Sequence, residues 1–499
     1  MSVTLKYVCC STLLMFHTLL VTGQGLLEPQ TNTFNSTFKL SAEQITKANL
    51  SSELANNIEV ALNYERSNWA FGSIAEDTFY TVPDNFTAST PPGTLLKVEP
   101  LTDTTLYTLA PNLALSRILF TTETHNKSVV PASAYILWPF SPNLQPGSNK
   151  ARTVVFANGA SGEFGDCTPS HMRTLLYQFQ APYALALAGF AVVAPDYQGL
   201  GINYTVSFDN NTGQPGTRVP VHHPLLGNPS LANDLFYSHQ AALQAFPSRL
   251  SDDFVIMGHS EGGGAAWAAA ERQATDPVPG YLGTVAGSPA ANFSAVVDFA
   301  LSLGAAEIPG VALLAWAAQG MFPDLRLSDV LTPLGVARLE LQAEIGGCQG
   351  VTTALLQGDG TAQPPLLREG WNTNHYLQSY LRLSSVGGQS VAGPVLVIQG
   401  TADQTIPEVV TTATVNETCS AHPESDLEYL LVNGTTHVPT LFATQREWLG
   451  WINARFDGVP AASSGGCQRS VREPFWPINH YQAETNWFLE LALDPYQTA

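Results

Sequence analysis

The chain has 499 residues, of which 44% are hydrophobic, 10% aromatic and 12% charged, and its formal net charge at pH 7 is −20. So apolar a chain can bury a large core, which excludes an intrinsically disordered protein and fits one large globular domain with an insertion. The negative balance excludes nucleic acid as a partner, and also any binding that relies on attraction to an anionic membrane surface.

The first 23 residues read as a signal peptide. Lys6 supplies the positive charge, the apolar stretch YVCCSTLLMFHTLLV follows, and small residues at Val21 and Gly23 suit cleavage near Gln24. The stretch is too short for a membrane anchor and His17 interrupts it. Nine Asn-x-Ser/Thr sequons, at Asn35, Asn49, Asn85, Asn126, Asn203, Asn210, Asn292, Asn416 and Asn433, agree with secretion. Cys9 and Cys10 would leave with the signal. Cys167, Cys348, Cys419 and Cys467 remain, an even number in a chain bound for an oxidising compartment, so two disulfides are expected, in any of three pairings. No Cys-x-x-Cys or Cys/His pair has zinc-ligand spacing, so no metal site is expected.

Residues 24 to about 90 are polar and part helical, with SAEQITKANLSSELANNIEVALNYERS carrying apolar residues at roughly helical spacing. Three strand-like runs follow, GTLLKVEPL, LSRILFTTET and PASAYILWPF. After a Pro/Gly/Ser-rich break at 141–149 the texture changes: RTVVFANG, GFAVVAPDY, DFVIMGHS and YLGTVAGSP are short, almost wholly apolar runs separated by helix-length segments. Strands buried on both faces and alternating with helices predict a parallel α/β sheet. GPVLVIQG and LEYLLVNG continue it at 393–400 and 427–434. Between them, residues 291–392 break the alternation with FALSLGAAEIPGVALLAWAAQGMF. Asp298 precedes that piece and Glu307 and Pro309 interrupt it, and the longest uncharged run there, 16 residues at 308–323, is too short for a membrane helix. It reads as a buried helix pair, and also as a cap whose apolar face would meet a greasy substrate.

A serine hydroxyl becomes a nucleophile only when a base takes its proton and a third group orients the base. Gly258-His259-Ser260-Glu261-Gly262, between an apolar strand and the helix-like GGAAWAAAERQA, has the Gly-x-Ser-x-Gly form of a nucleophile elbow. Three glycines at 262–264 each weaken a helix by about 1 kcal/mol relative to alanine. Close packing of the helix start against the sheet would explain them. Asp403 follows a late strand in VLVIQGTADQTIP and His437 follows the next in LLVNGTTHVPT, so the order Ser, Asp, His is the one this elbow takes. His259 points away from its neighbour Ser260 and is read as packed behind the site, whereas His222 and His223 read as loop residues. The backbone N–H of Glu261 is the expected first oxyanion donor. The second is expected from Ala160, with Ser161 as alternative, in the loop VVFANGASGEFGDC. The Glu261 side chain is expected at the start of the following helix, favoured there by the helix dipole and without a catalytic role.

Together NGASGEFGDCTPS, VVAPDYQGLG, HPLLGNPSLANDL, GHSEGGGAAWAAAE and QGTADQTIP resemble the fungal secretory lipase family, the group that includes the Candida lipase A type. The resemblance covers most of residues 100–455 and implies an α/β-hydrolase fold: a mostly parallel central sheet, helices on both faces and an inserted helical cap. It implies Ser260, Asp403 and His437 as triad, no metal and no organic cofactor. It also suggests Cys167 bonded to Cys348, which leaves Cys419 with Cys467. Two departures are Glu261, where the family often has Gln, and Cys167-Thr168-Pro169-Ser170, where it often has Cys-Ala-Pro-Ser. The resulting division is a signal at 1–23, an N-terminal extension and first core part at 24–290, a cap at 291–392, a second core part at 393–460 and a tail at 461–499.

These readings predict a secreted, extracellular, monomeric serine carboxylic-ester hydrolase, a lipase or esterase working through an acyl-enzyme. Its partner is an ester substrate, a lipid or an acylated metabolite, with transient lipid-interface contact through the cap. An esterase that deacylates a secondary metabolite such as an acetylated trichothecene-type terpenoid is the alternative. A secreted peptidase on the same fold is disfavoured by the absence of a propeller and of an obvious acidic site for a peptide amine. A complete triad disfavours a non-enzymatic binding module.

Overall fold

The computed structural model describes residues 37–483, apart from 210–214, 305–307, 309, 358–363 and 464. The signal segment and the sequons at Asn35 and Asn210 lie outside the described residues. The apolar runs form one sheet of ten strands: β1 (Leu95–Glu99), β2 (Ala114–Glu123), β3 (Val129–Trp138), β4 (Ala151–Ala157), β5 (Ala191–Pro195), β8 (Leu250–His259), β9 (Tyr281–Gly287), β10 (Val395–Gly400), β11 (Leu427–Val432) and β12 (Cys467–Arg472). A separate two-stranded sheet pairs a half-buried β6 (Tyr204–Phe208) with an exposed β7 (Pro215–Pro220). The order across the sheet is β1-β2-β3-β5-β4-β8-β9-β10-β11-β12. The pairs from β1 to β5 through β3 are antiparallel, and from β5 onward all are parallel. This is the α/β-hydrolase arrangement the motifs implied.

The runs are continuous in apolar character because helices cover both faces of the parallel part. On one face Phe254, Ile256, Val395 and Val397 pack with Phe236 and Trp267 of the helices Asn228–Ala245 and Glu261–Thr275. On the other, Val255, Met257, Leu396 and Ile398 pack with Trp448 and Ile452 of the helix Gln445–Phe456. Trp267 and Trp448 are among the largest fully buried side chains, and truncating either to alanine would cost about 3–5 kcal/mol.

Between β9 and β10, residues 291–392 form helices and turns with no strand among the described residues. The apolar piece there is indeed two helices, but unequally buried: Gly310–Met321 is largely covered, whereas Phe293–Ser302 buries only Val297. The N-terminal helix Ser52–Ser67 packs on this insertion, sharing a core in which Leu54, Ile58 and Leu62 meet Leu339, Val351 and Leu355. Glu65 fixes the contact by accepting the N–H groups of Cys348 and Val351 at 2.8 and 3.1 Å.

Two disulfides are formed, Cys167–Cys348 and Cys419–Cys467. The first ties the loop after β4 to the insertion. The second ties the helix Glu408–Ala421 to β12. That last strand lies in what reads as a tail. It is a polar, exposed edge strand that extends the sheet by pairing parallel to β11, so its sequence carries no apolar run. The described residues contain no helix long and apolar enough to cross a membrane.

Candidate active site

β8 ends at His259, and the helix Glu261–Thr275 begins one residue later. Ser260 makes the turn alone, at φ 60° and ψ −122°, a conformation that costs a non-glycine residue about 1–3 kcal/mol. Its backbone is held on both sides. The N–H donates to the Gly287 carbonyl at 3.0 Å, and the carbonyl accepts from Gly264 and Ala290 at 3.1 and 2.9 Å. A Cβ on Gly258 would collide with the Gly262 carbonyl, and one on Gly262 with that of Ala157. Gly263 and Gly264 lie as tightly against Gly287, Asn228 and Ala290. The glycine run is therefore explained by close packing against the sheet, as the sequence suggested.

Asp403 sits on the loop after β10 and His437 on the loop after β11, because parallel strands deliver their C-terminal loops to the same edge of the sheet. His437 Nδ1 is 2.7 Å from Asp403 Oδ2. The other Asp403 oxygen accepts the N–H groups of Thr405 and Ile406, both at 2.9 Å, and Gln399 Nε2 donates to Oδ2 at 3.1 Å. Burial raises the Asp403 pKa, but the bond to His437, the charge of His437 and the Ile406 N–H outweigh it and hold the carboxyl below the usual carboxylate range. An ionised Asp403 only accepts, so Nδ1 of His437 carries the proton of this contact.

His259 supports this histidine from behind. Burial, then the nearby His437, pushes its pKa down to about 3, so it is neutral. Nε2 lies 3.2 Å from the His437 carbonyl and must donate to it, which leaves Nδ1 to accept the Tyr177 hydroxyl at 2.8 Å. The two imidazoles lie 4.5 Å apart, centroid to centroid. His259 is thus packed behind the site as expected, and Tyr177, which no local sequence signal marks, completes it.

Ser260 and His437 line one cavity of about 490 Å³, shared with Ala160, Tyr177, Leu225, Leu226 and Phe293 among others. Ala160 is thereby brought to the serine, whereas Ser161 is buried and does not line the cavity. The Cys167 sulfur packs against Gly162, whose φ of +136° no other residue adopts readily, so the disulfide braces the loop that carries Ala160. Among the described residues no group of three or more His, Cys, Asp or Glu side chains could hold a metal ion.

For two readings of side chains the structure adds partners that the sequence did not offer. Glu261 does lie in the first turn of its helix, but it is 1% exposed. Its Oε1 accepts the Leu226 N–H at 2.7 Å and lies 3.4 Å from His223 Nε2. His222 and His223 are more than loop residues, too. His222 stacks on Trp316 of the insertion, and His223 is fully buried beside Glu261. The sequence pattern was silent because partners 35 and 38 residues apart meet only through the fold. Of the seven described sequons, six are exposed and Asn292, which caps the helix Phe293–Ser302, is half-buried.

Fold and site together define an ester hydrolase of the lipase and esterase kind on an α/β-hydrolase scaffold. Residues 238–464 match the family described as Secretory lipase. It is 24% identical to Lipase 10 of Candida albicans over 427 residues, 80% of this chain and 84% of that protein. Candida antarctica lipase A superposes with a TM-score of 0.63 at 15% identity, over 81% of this chain and 91% of that one. The rice cell wall degrading esterase LipA from Xanthomonas oryzae gives 0.51 at 18% identity, over 74% and 98%. Both structural likenesses concern the fold.

Proposed function

We propose that the protein is a secreted, glycosylated carboxylic-ester hydrolase in which Ser260 attacks the ester carbonyl. His437 Nε2 takes the serine proton and returns it to the leaving alkoxide. Asp403 keeps the proton on Nδ1 and stabilises the imidazolium. The backbone N–H groups of Glu261 and Ala160 receive the oxyanion, and water then hydrolyses the acyl-enzyme along the same route. The single observation carrying this reading is the 2.7 Å contact of His437 Nδ1 with a multiply hydrogen-bonded Asp403, on the rim of the cavity that also contains Ser260. Leu225, Leu226, Phe293 and Ile406 in its walls suit an acyl chain or another apolar acid moiety. Secretion is supported by the signal-like N-terminus, the sequons, the two disulfides and the family.

The test is turnover of p-nitrophenyl esters from acetyl to oleoyl beside a panel of acetylated terpenoids. Hydrolysis by the wild type and none by Ser260→Ala is expected. Undiminished turnover by Ser260→Ala would overturn the proposal. A preference for the bulky acetates would move the assignment from lipase to metabolite esterase.

A further inference from the structure

Leu225 and Leu226 lie on the loop between β7 and the helix Asn228–Ala245, and both line the cavity that contains Ser260. Leu226 has φ +57°, in the left-handed region where the Cβ of an L residue is crowded by its own backbone. A buried leucine in that conformation has to be held there by its surroundings. Two side chains do so from opposite parts of the chain. Glu261 Oε1, in the first turn of the elbow helix, accepts the Leu226 N–H at 2.7 Å. Tyr380, on the insertion helix His375–Ser384, donates its hydroxyl to the Leu225 carbonyl at 2.6 Å.

The Glu261 carboxylate is itself fixed. It faces His223 Nε2 at 3.4 Å, and His223 Nδ1 lies 3.3 Å from the Gln198 carbonyl while its ring stacks on Tyr197. Glu163, from the loop that carries Ala160, is buried in the same neighbourhood, and neither of its oxygens has a hydrogen-bond partner among the described residues. Glu261 is not among the residues lining the cavity.

We propose that Glu261 is a positioning residue for substrate selection: its carboxylate fixes the Leu225–Leu226 turn as a rigid wall of the cavity beside Ser260. The acyl groups accepted at the serine then depend on a side chain that does not touch them. A neutral side chain with an acceptor oxygen can replace it in this role, whereas one without an acceptor leaves the Leu226 N–H unpaired and the turn free to relax towards an ordinary conformation. This inference rests on the cavity's being the ester-binding site.

The experiment measures kcat and KM for p-nitrophenyl esters from acetyl to oleoyl with the wild type, Glu261→Ala, Glu261→Gln and Tyr380→Phe. Glu261→Ala is expected to compress the spread of kcat/KM between the best and worst esters about tenfold, mainly through KM. Glu261→Gln should keep the wild-type order of chain lengths, because its amide oxygen can still accept the Leu226 N–H. Tyr380→Phe should shift the profile in the same direction as Glu261→Ala. An unaltered profile in Glu261→Ala, or an equal loss of kcat for every ester in both Glu261 variants, would overturn the proposal. If Glu261→Ala does not fold, an unaltered profile in Tyr380→Phe does so. Ester turnover that survives Ser260→Ala would instead indict the assignment of the cavity.

Discussion

Two histidine–carboxylate pairs lie near the same serine, one open to the cavity and one sealed, and their surroundings give them different chemistry. Asp403 and His437 meet at 2.7 Å with the histidine side chain 16% exposed on the cavity. Glu261 and His223 meet at 3.4 Å with side-chain exposures of 1% and 0%. In the open pair one histidine nitrogen meets the carboxylate, and the ring lines the cavity that also contains Ser260. The sealed pair has no route to substrate, and its carboxylate is occupied by a backbone N–H. Residue type alone would rank the two equally; access separates them.

The largest effects should come from breaking the open pair. Ser260→Ala should lower kcat for short-chain esters by about 10,000-fold or more, and Asp403→Asn, which leaves His437 Nδ1 without an ionised acceptor, by about 1,000–10,000-fold. Both should leave Tm within a few degrees, because neither side chain fills the core. The Cys167–Cys348 bond closes 181 residues of chain and ties the Ala160 loop to the insertion. Replacing both cysteines with serine should cost about 2–5 kcal/mol of stability by denaturant unfolding. His259→Phe keeps the ring against His437 but removes the donor to its carbonyl. It should reduce kcat about tenfold, with KM little changed.

Stability against pH extends the contrast, because several buried groups, His223 among them, titrate out of their ordinary ranges. Burial raises Glu65, Asp234 and Glu271 to about 7 and Glu163 to about 8. For His223 burial acts downward, but Glu261 and Glu163 outweigh it and lift it to about 9. A raised folded pKa means the folded chain holds a proton that the unfolded chain has released, so this stability is present at low pH and lost as pH rises through the folded values. On the acid side burial lowers His171 and His259 to about 3 and His239 to about 4. The unfolded chain protonates these near the ordinary histidine pKa of about 6.5, so stability is also lost as pH falls below that value. The expected curve has its maximum at mildly acidic pH, and Tm falls by several degrees between pH 6 and pH 9 in scanning calorimetry. A Tm that rises over that interval would contradict the assignment.

The sequence made most of the sheet legible because strands covered on both faces must be continuously apolar, as FVIMG and VLVIQ are. It failed for β12 and β7, which are exposed, and for β6, which is only half-buried, so that none carries such a pattern. Within the site, Ser260 was legible through the sterics of a tight turn, and Asp403 and His437 through their positions after consecutive strands. Tyr177, His223 and Tyr380 were not. Each acts through a contact that the three-dimensional packing creates, and nothing near them in the chain requires their partners. The N-terminal helices were recognisable as helices, yet their packing on the insertion depends on apolar faces separated by about 280 residues, as in the bond from Arg66 to the Ile345 carbonyl, 279 positions apart.

The central claim is that Ser260 is the nucleophile activated by His437. It is tested most directly by treating the purified protein with a fluorophosphonate and locating the adduct by peptide mass spectrometry. One adduct per chain, on the peptide containing Ser260, with esterase activity lost in step with labelling and labelling abolished in His437→Ala, is the expected result. Full labelling of another residue, or complete loss of activity with Ser260 unmodified, would contradict it.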